Sequence, residues 1–134
     1  MNAKPKRSDR VGESVRSELT AMLARGAIRD PAVQDAIITT VRLSDDLRNA
    51  RVYVRLLAPE VSQGTRDALL QGLQRAAPYI RRSLAPTLKL KYQPDLKFFW
   101  DEGLDRAARV EALLHDLREE EAQQRERGDG EEQA

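Results

Sequence analysis

The feature that most constrains this chain is an apolar stripe that runs straight through a proline. In "LQRAAPYIRRSL", and just before it, apolar residues fall at Leu69, Leu73, Ala76/Ala77, Ile80 and Leu84. That spacing of three and four is one buried helix face. Pro78 sits inside it. Proline has no N–H to give, and its ring collides with the carbonyl four residues back, here that of Gln74. It also biases Ala77 away from helical dihedrals, and in a helix interior it costs about 3 kcal/mol. The pattern predicts two helices that meet at Pro78 and cover the same layer.

The rest of the chain supplies that layer. Ser8 or Asp9 suits a helix cap, followed by Val11, Val15, Leu19 and Met22/Leu23 on one face, with Gly26 after the last turn. "IRDPAVQDA" reads as a loop in which Pro31 keeps Asp30 extended. Residues 37–44 and 50–57 are rich in β-branched side chains and alternate. Thr39, Val41 and Leu43 are expected on one face of the first strand. Val52, Val54 and Leu56 are expected inward on the second, with Arg51, Tyr53 and Arg55 outward in water. "SDDLRN" fits an antiparallel hairpin connection. The broken helix spans about Ser62 to Leu88. A third strand centres on 96–100, with Pro94 at its edge. Ala107, Val110, Leu113/Leu114 and Leu117 then mark an amphipathic helix. The order is α-β-β-α-kink-α-β-α: an α+β class, a three-stranded sheet with helices on one face.

Composition narrows the function. With 134 residues, 40% hydrophobic and 34% charged, the chain holds one modest core. Having no cysteine, it lacks a disulfide framework, a thiolate metal site or a thiol nucleophile, which fits a reducing cytoplasm. No run approaches the roughly 18 apolar residues of a membrane span, and the N-terminus does not read as a secretory signal. The net charge of +1 hides its layout. Residues 75–97 carry six bases and one acid, whereas residues 98–134 carry five bases and twelve acids. Residues 1–7 read as a basic flexible arm, 8–118 as the folded domain and 119–134 as an acidic disordered tail. The basic block points to a polyanion partner.

Nothing in the chain points to catalysis. His115 is the single histidine and has no metal-ligand pattern around it. Asp45-Asp46 suits turn hydrogen bonds better than a magnesium site. No phosphate-binding glycine loop exists, and Ser44 and Ser83 have no histidine close in sequence. No cofactor is expected.

Two readings of the proline break remain open at this point. In one, a second helix begins at the break and its first N–H groups, with Arg75, Arg81 and Arg82 beside them, face phosphate. In the other, the kink only lets a long helix follow a twisted sheet.

Four stretches together resemble the bacterial ribosome-binding factor A family: "RVGESVRSEL", "TTVRLSDDLRNARVYV", "LQRAAPYIRRSL" and "PDLKFFWDEGLDRAARVEALL". The resemblance covers roughly residues 7 to 118. It implies a KH-like fold of the second type, in which the usual loop is replaced by an Ala-x-Gly kink. Ala76, Ala77 and Pro78 stand at that kink, with proline in place of glycine, and Gly103 stands where the family has serine before the last helix. The implied activity is non-catalytic assembly of the small ribosomal subunit, including maturation of the 5′ end of 16S rRNA and adaptation to cold. The implied partners are that subunit's RNA and neighbouring proteins, together with GTPase assembly factors. No membrane is implied, and a monomer is expected. The expected RNA-binding residues are Arg75, Ala76, Ala77, Pro78, Arg81, Arg82, Lys89 and Lys91, with Lys4, Lys6 and Arg7 as an added arm. Two other classes stay in view: a general single-stranded RNA binder, disfavoured by the 4% aromatic content, and a protein-interaction module that uses the last helix and acidic tail.

Overall fold

A computed structural model describes residues 6–58 and 60–133. The elements are α1 (Arg7–Ala24), β1 (Ala36–Leu43), β2 (Asn49–Leu56), α2 (Gln63–Leu88), β3 (Asp95–Trp100) and α3 (Glu102–Gln133), with a 3₁₀ turn at Pro31–Val33. The described residues up to Asp101 form one compact unit, and those from Glu102 form another.

In the first unit the strands lie in the order β1-β2-β3. β2 pairs antiparallel with β1 and parallel with β3. A parallel neighbour requires a long crossover, which α2 supplies. Helices α1 and α2 bury one sheet face. Val15, Leu19 and Met22 from α1, and Leu69, Leu73, Ala77, Ile80 and Leu84 from α2, meet Ile38, Val52, Val54, Leu96 and Phe98 from the strands. Most of these positions were legible as apolar stripes, and Gly26 ends α1 with a positive φ of 70°, as its position suggested.

Several expectations need correction. Helix α1 starts earlier than Ser8 or Asp9 would set it. Its cap is Lys6, whose backbone N–H donates to the Asp9 carboxylate at 3.2 Å, so Arg7 is helical and does not belong to a loose arm. Ser8 is buried instead of capping. In β1 the register slips between Ile38 and Thr40, because Ile38 faces Val54 while Thr40 faces Tyr53. Thr39 is therefore the extra residue of a bulge. Ile38 takes the core place expected of Thr39, and Val41 and Leu43 follow it inward. The Thr39 hydroxyl donates towards the Tyr53 carbonyl and the Asp101 carboxylate, at 3.1 and 2.6 Å, which ties β1 to the end of β3 across the central strand.

Helix α2 is not broken at Pro78. One helix runs from Gln63 to Leu88 with both Pro78 and Pro86 inside it, capped by the Ser62 hydroxyl accepting from the Thr65 N–H. Both prolines lie on the exposed side. There the carbonyl freed by each ring can tilt towards water. In the second unit α3 begins at Glu102, so Gly103 lies in its first turn and not before it. The helix runs on through residues 119–133, where composition suggested a fraying end and a disordered tail. A His115–Glu119 contact at 3.1 Å and an Arg125–Glu121 ion pair, each spanning four residues, lie along it.

Where α1 crosses β1, Gly12 is buried, and a Cβ there would stand 2.8 Å from the Val41 carbonyl oxygen. A backbone oxygen held in a sheet has little room to retreat. Gly12→Ala is thus expected to cost about 1–3 kcal/mol through overpacking, more than the roughly 1 kcal/mol that alanine gains in helix propensity. Thermal unfolding should show a lower midpoint for this variant, and an unchanged or raised midpoint would refute the close approach.

Candidate functional site

The basic residues of α2 divide into those the fold uses and those it leaves free. Arg75 donates through Nη2 to the Asp30 carboxylate at 2.9 Å, anchoring the loop before the 3₁₀ turn. Asp30 also accepts from the Ala32 N–H at 3.0 Å. These two interactions, the Ala32 N–H first, hold the Asp30 carboxyl below its usual range. Gly72 makes the approach possible, since a Cβ there would meet Asp30 Oδ2 at 2.8 Å. Arg81 donates to the Gln93 carbonyl at 3.0 Å and lies 3.7 Å from the Asp95 carboxylate, so it fastens the α2–β3 loop. Arg82 is exposed and makes no side-chain ion pair or hydrogen bond among the described residues.

Because α2 is continuous, no new helix N-terminus opens at Pro78. The N–H groups expected to face phosphate there lie within the helix. Ala76 and Ala77 turn towards the core, and only Pro78 of the three is exposed. What the helix presents instead is a side-chain stripe. Arg75, Tyr79 and Arg82 are spaced by four and three, which puts them on one face. Tyr79 is 43% exposed, so its ring is open to a partner and is not core.

Beside Tyr79 lies a hollow of about 690 Å³ lined by Arg25, Gly26, Ala27, Ile28, Arg29 and Ala76. Arg25 and Arg29 come from the turn after α1. Neither side chain is paired among the described residues. Sequence reading missed both, although they flank Gly26, the residue that reverses the chain there. Two arginines facing an exposed tyrosine, with Arg82 one turn along α2, form a surface that can contact phosphates and stack a base.

The remaining expected residues lie elsewhere. Lys89 is the exposed C-cap of α2 in a left-handed conformation, with φ 51°. Lys91 Nζ stands 5.5 Å from the centre of the Tyr92 ring, and the Arg48 guanidinium stands 5.2 Å from it. This second basic cluster joins the β1–β2 hairpin loop to the α2–β3 loop. Asp46 on that hairpin accepts from the Ser44 hydroxyl at 2.6 Å and the Arg48 N–H at 3.1 Å, and these bonds lower its pKa. It is a turn residue, as composition suggested. Lys6 caps α1, Arg7 opens it, and Lys4 lies outside the described residues. Among the described residues no three histidine, aspartate or glutamate side chains gather as a metal site, and no helix is long and apolar enough to cross a membrane.

A one-sided α+β sheet with basic, partly aromatic surfaces and the order α-β-β-α-β belongs to the KH-like class, and solved structures agree. The fold matches the crystal structure of ribosome-binding factor A from Thermus thermophilus with a TM-score of 0.56 at 24% identity, covering 69% of this chain and 93% of that one. A solution structure of a Thermotoga maritima protein described as a ribosome binding factor A gives 0.54 at 27% identity, covering 73% and 91%. The family model for ribosome-binding factor A matches residues 7–114. A ribosome-binding factor A from Sorangium cellulosum is 37% identical over 119 residues, 89% of this chain and 94% of the relative. One from Rhodospirillum rubrum is 40% identical over 115 residues, 84% and 68%. The chain belongs to the ribosome-binding factor A family.

Asp30 gives a test of the loop anchor. Its folded pKa lies below the ordinary 3.8. The stability it contributes is therefore present above that ordinary value and lost as pH falls through the lower folded value. In Arg75→Ala the Ala32 N–H bond remains, so the Asp30 midpoint should rise yet stay under 3.8. Carboxyl-carbon NMR titration reads this directly, and an unmoved midpoint would show that Arg75 does not hold Asp30 in solution.

Proposed function

We propose that this chain binds the free or immature small ribosomal subunit and assists its late maturation, including processing at the 5′ end of 16S rRNA. The observation that carries this reading is membership of the family over residues 7–114, with relatives named for ribosome binding. The chain acts as a cytoplasmic monomer and catalyses no reaction. It binds one arrangement of the RNA better than others and so shifts its population, which a binding protein can do by no more than its differential affinity. GTPase assembly factors take part in its action or release, and the activity matters most in the cold, where misfolded RNA escapes slowly. Residues 8–118 carry binding, and the acidic segment 119–134 lies outside the RNA contact.

The contact we assign is the hollow beside Tyr79. Arg25, Arg29 and Arg82 neutralise phosphates, with Arg75 adding the donors that Asp30 leaves free, and Tyr79 stacks. Lys89 and Lys91, together with Arg48 and Tyr92, make a second contact at the hairpin end, and Lys4, Lys6 and Arg7 at the N-terminal end of the chain a third. Arg81 holds the α2–β3 loop in place for the second.

The experiment is sedimentation of the purified chain with small subunits, large subunits and whole ribosomes at several salt concentrations. Co-migration with free small subunits alone is expected. Replacing Arg25, Arg29 and Arg82 by glutamine should flatten the slope of log affinity against log salt by about two, since each phosphate contact on a single strand contributes about 0.7. Failure to co-migrate at low salt would sink the assembly reading, and an unchanged slope would remove the hollow from the contact.

A further inference from the structure

The sheet face opposite α1 and α2 carries an arrangement that the fold does not require. Register puts Arg42 opposite Arg51, and Arg51 opposite Lys97. Three cations therefore stand side by side across all three strands, at strand spacings of about 4.8 Å. Like charges directly opposite one another destabilise a sheet. All three are exposed, and none forms an ion pair with another described residue. The acids of this face are already engaged: Asp101 accepts from Thr39 at 2.6 Å, and Asp95 lies 3.7 Å from Arg81. The next row of the same face, two residues along each strand, is Thr40, Tyr53 and Phe99. The Tyr53 and Phe99 rings lie 5.7 Å apart at 32°, and Phe99 is 40% exposed. Over the cation row, towards the β1–β2 hairpin, a hollow of about 490 Å³ is lined by Arg42, Arg51, Lys97 and Phe99 with Ser44 and Asn49.

We propose that this sheet face is a further nucleic-acid site, which holds a single-stranded RNA segment with its phosphates on the Arg42–Arg51–Lys97 row and a base on the Tyr53–Phe99 pair. Charge complementarity selects the occupant. Three adjacent unpaired cations ask for closely spaced anions, and two neighbouring rings ask for a flat π surface. A single-stranded polynucleotide offers both at once. A duplex hides its base faces, and an acidic peptide has nothing to stack. The inference deepens the ribosome-binding reading and rests on it for the source of the strand.

Two variants separate the two halves of the site. Arg42→Gln/Arg51→Gln/Lys97→Gln should lower affinity for small subunits at least tenfold and flatten the salt slope by about two. It should also melt at a higher temperature than the parent chain, because it removes like-charge neighbours. Tyr53→Leu/Phe99→Leu should weaken binding several-fold with the slope unchanged, because stacking releases no counterions. Circular dichroism melts confirm that each variant is folded. If the parent chain binds small subunits and both folded variants match it in affinity and slope, the sheet-face site is overturned while the assembly reading stands. If the parent chain does not bind subunits, the assembly reading fails, and titration with a fluorescent 15-nucleotide oligouridine decides the face. Binding lost in both variants upholds the site; no binding, or equal binding, overturns it. Photocross-linking from position 99 to a ribosomal protein in place of RNA would overturn it in favour of a protein contact.

Discussion

A three-stranded sheet with two helices can bury only one of its faces, and everything else in the first unit follows from that. The central strand β2 sets the division. Val52 and Val54 are fully buried under α1 and α2, while Arg51, Tyr53 and Arg55 alternate to the other side. The β1 bulge keeps the division workable. One extra residue lets β1 begin inward with Ile38 and continue inward with Val41, and the displaced Thr39 uses its hydroxyl to tie Asp101 to the sheet. Trp100 closes the far end of the core beneath two guanidinium groups, those of Arg55 and Arg66, 4.8 and 4.7 Å from the ring centre. Charge over an aromatic face seals an edge where a third layer would otherwise be needed.

The same one-sidedness explains why Pro78 does not break α2. A proline in a helix interior costs about 3 kcal/mol. The helix buries Leu69, Leu73, Ile80 and Leu84 completely or nearly so, and each such side chain is worth about 1.5–3 kcal/mol. Splitting the helix would put part of that burial at risk, whereas a proline on the solvent side loses one hydrogen bond that water can replace. Burial outweighs the local penalty, and the ring is tolerated where it faces outward. The local rule about proline was sound. It lost to a tertiary term several times larger.

That contest marks what the sequence could and could not disclose. Element order, the alternation in β2 and β3 and the core stripe of α2 were legible, because each is a periodic pattern within one segment. The resemblance to the family was legible in the ordered motifs. Other features were not, because each depends on residues distant in the chain. The bulge at Thr39 exists only relative to β2. The partners of Arg75 and Arg81 lie 45 and 12 residues away, at Asp30 and Gln93. Arg25 and Arg29 gain meaning only once the turn after α1 lies against Tyr79. The row of Arg42, Arg51 and Lys97 needs the register of two strand pairs. Each cation alone reads as an ordinary outward residue of an alternating strand.

A count of basic residues is therefore a poor map of a polyanion site, and the physics says why. A cation adds to phosphate affinity by releasing counterions from the nucleic acid, which requires that its charge is not already neutralised by the fold. Arg75 and Arg81, the residues that composition singles out most strongly, have carboxylate partners, and Arg55 has Trp100 and the Asp101 carbonyl. Arg25, Arg29 and Arg82 on the helical side, and Arg42, Arg51 and Lys97 on the sheet side, have no such partner among the described residues. A surface that is to hold one RNA arrangement, as proposed for this chain, needs its cations both fixed and unneutralised. This fold supplies the first through rigid strands and a continuous helix. It supplies the second by engaging nearby acids within the unit: Asp30 with Arg75 and the Ala32 N–H, Asp95 beside Arg81, and Asp101 with the Thr39 hydroxyl.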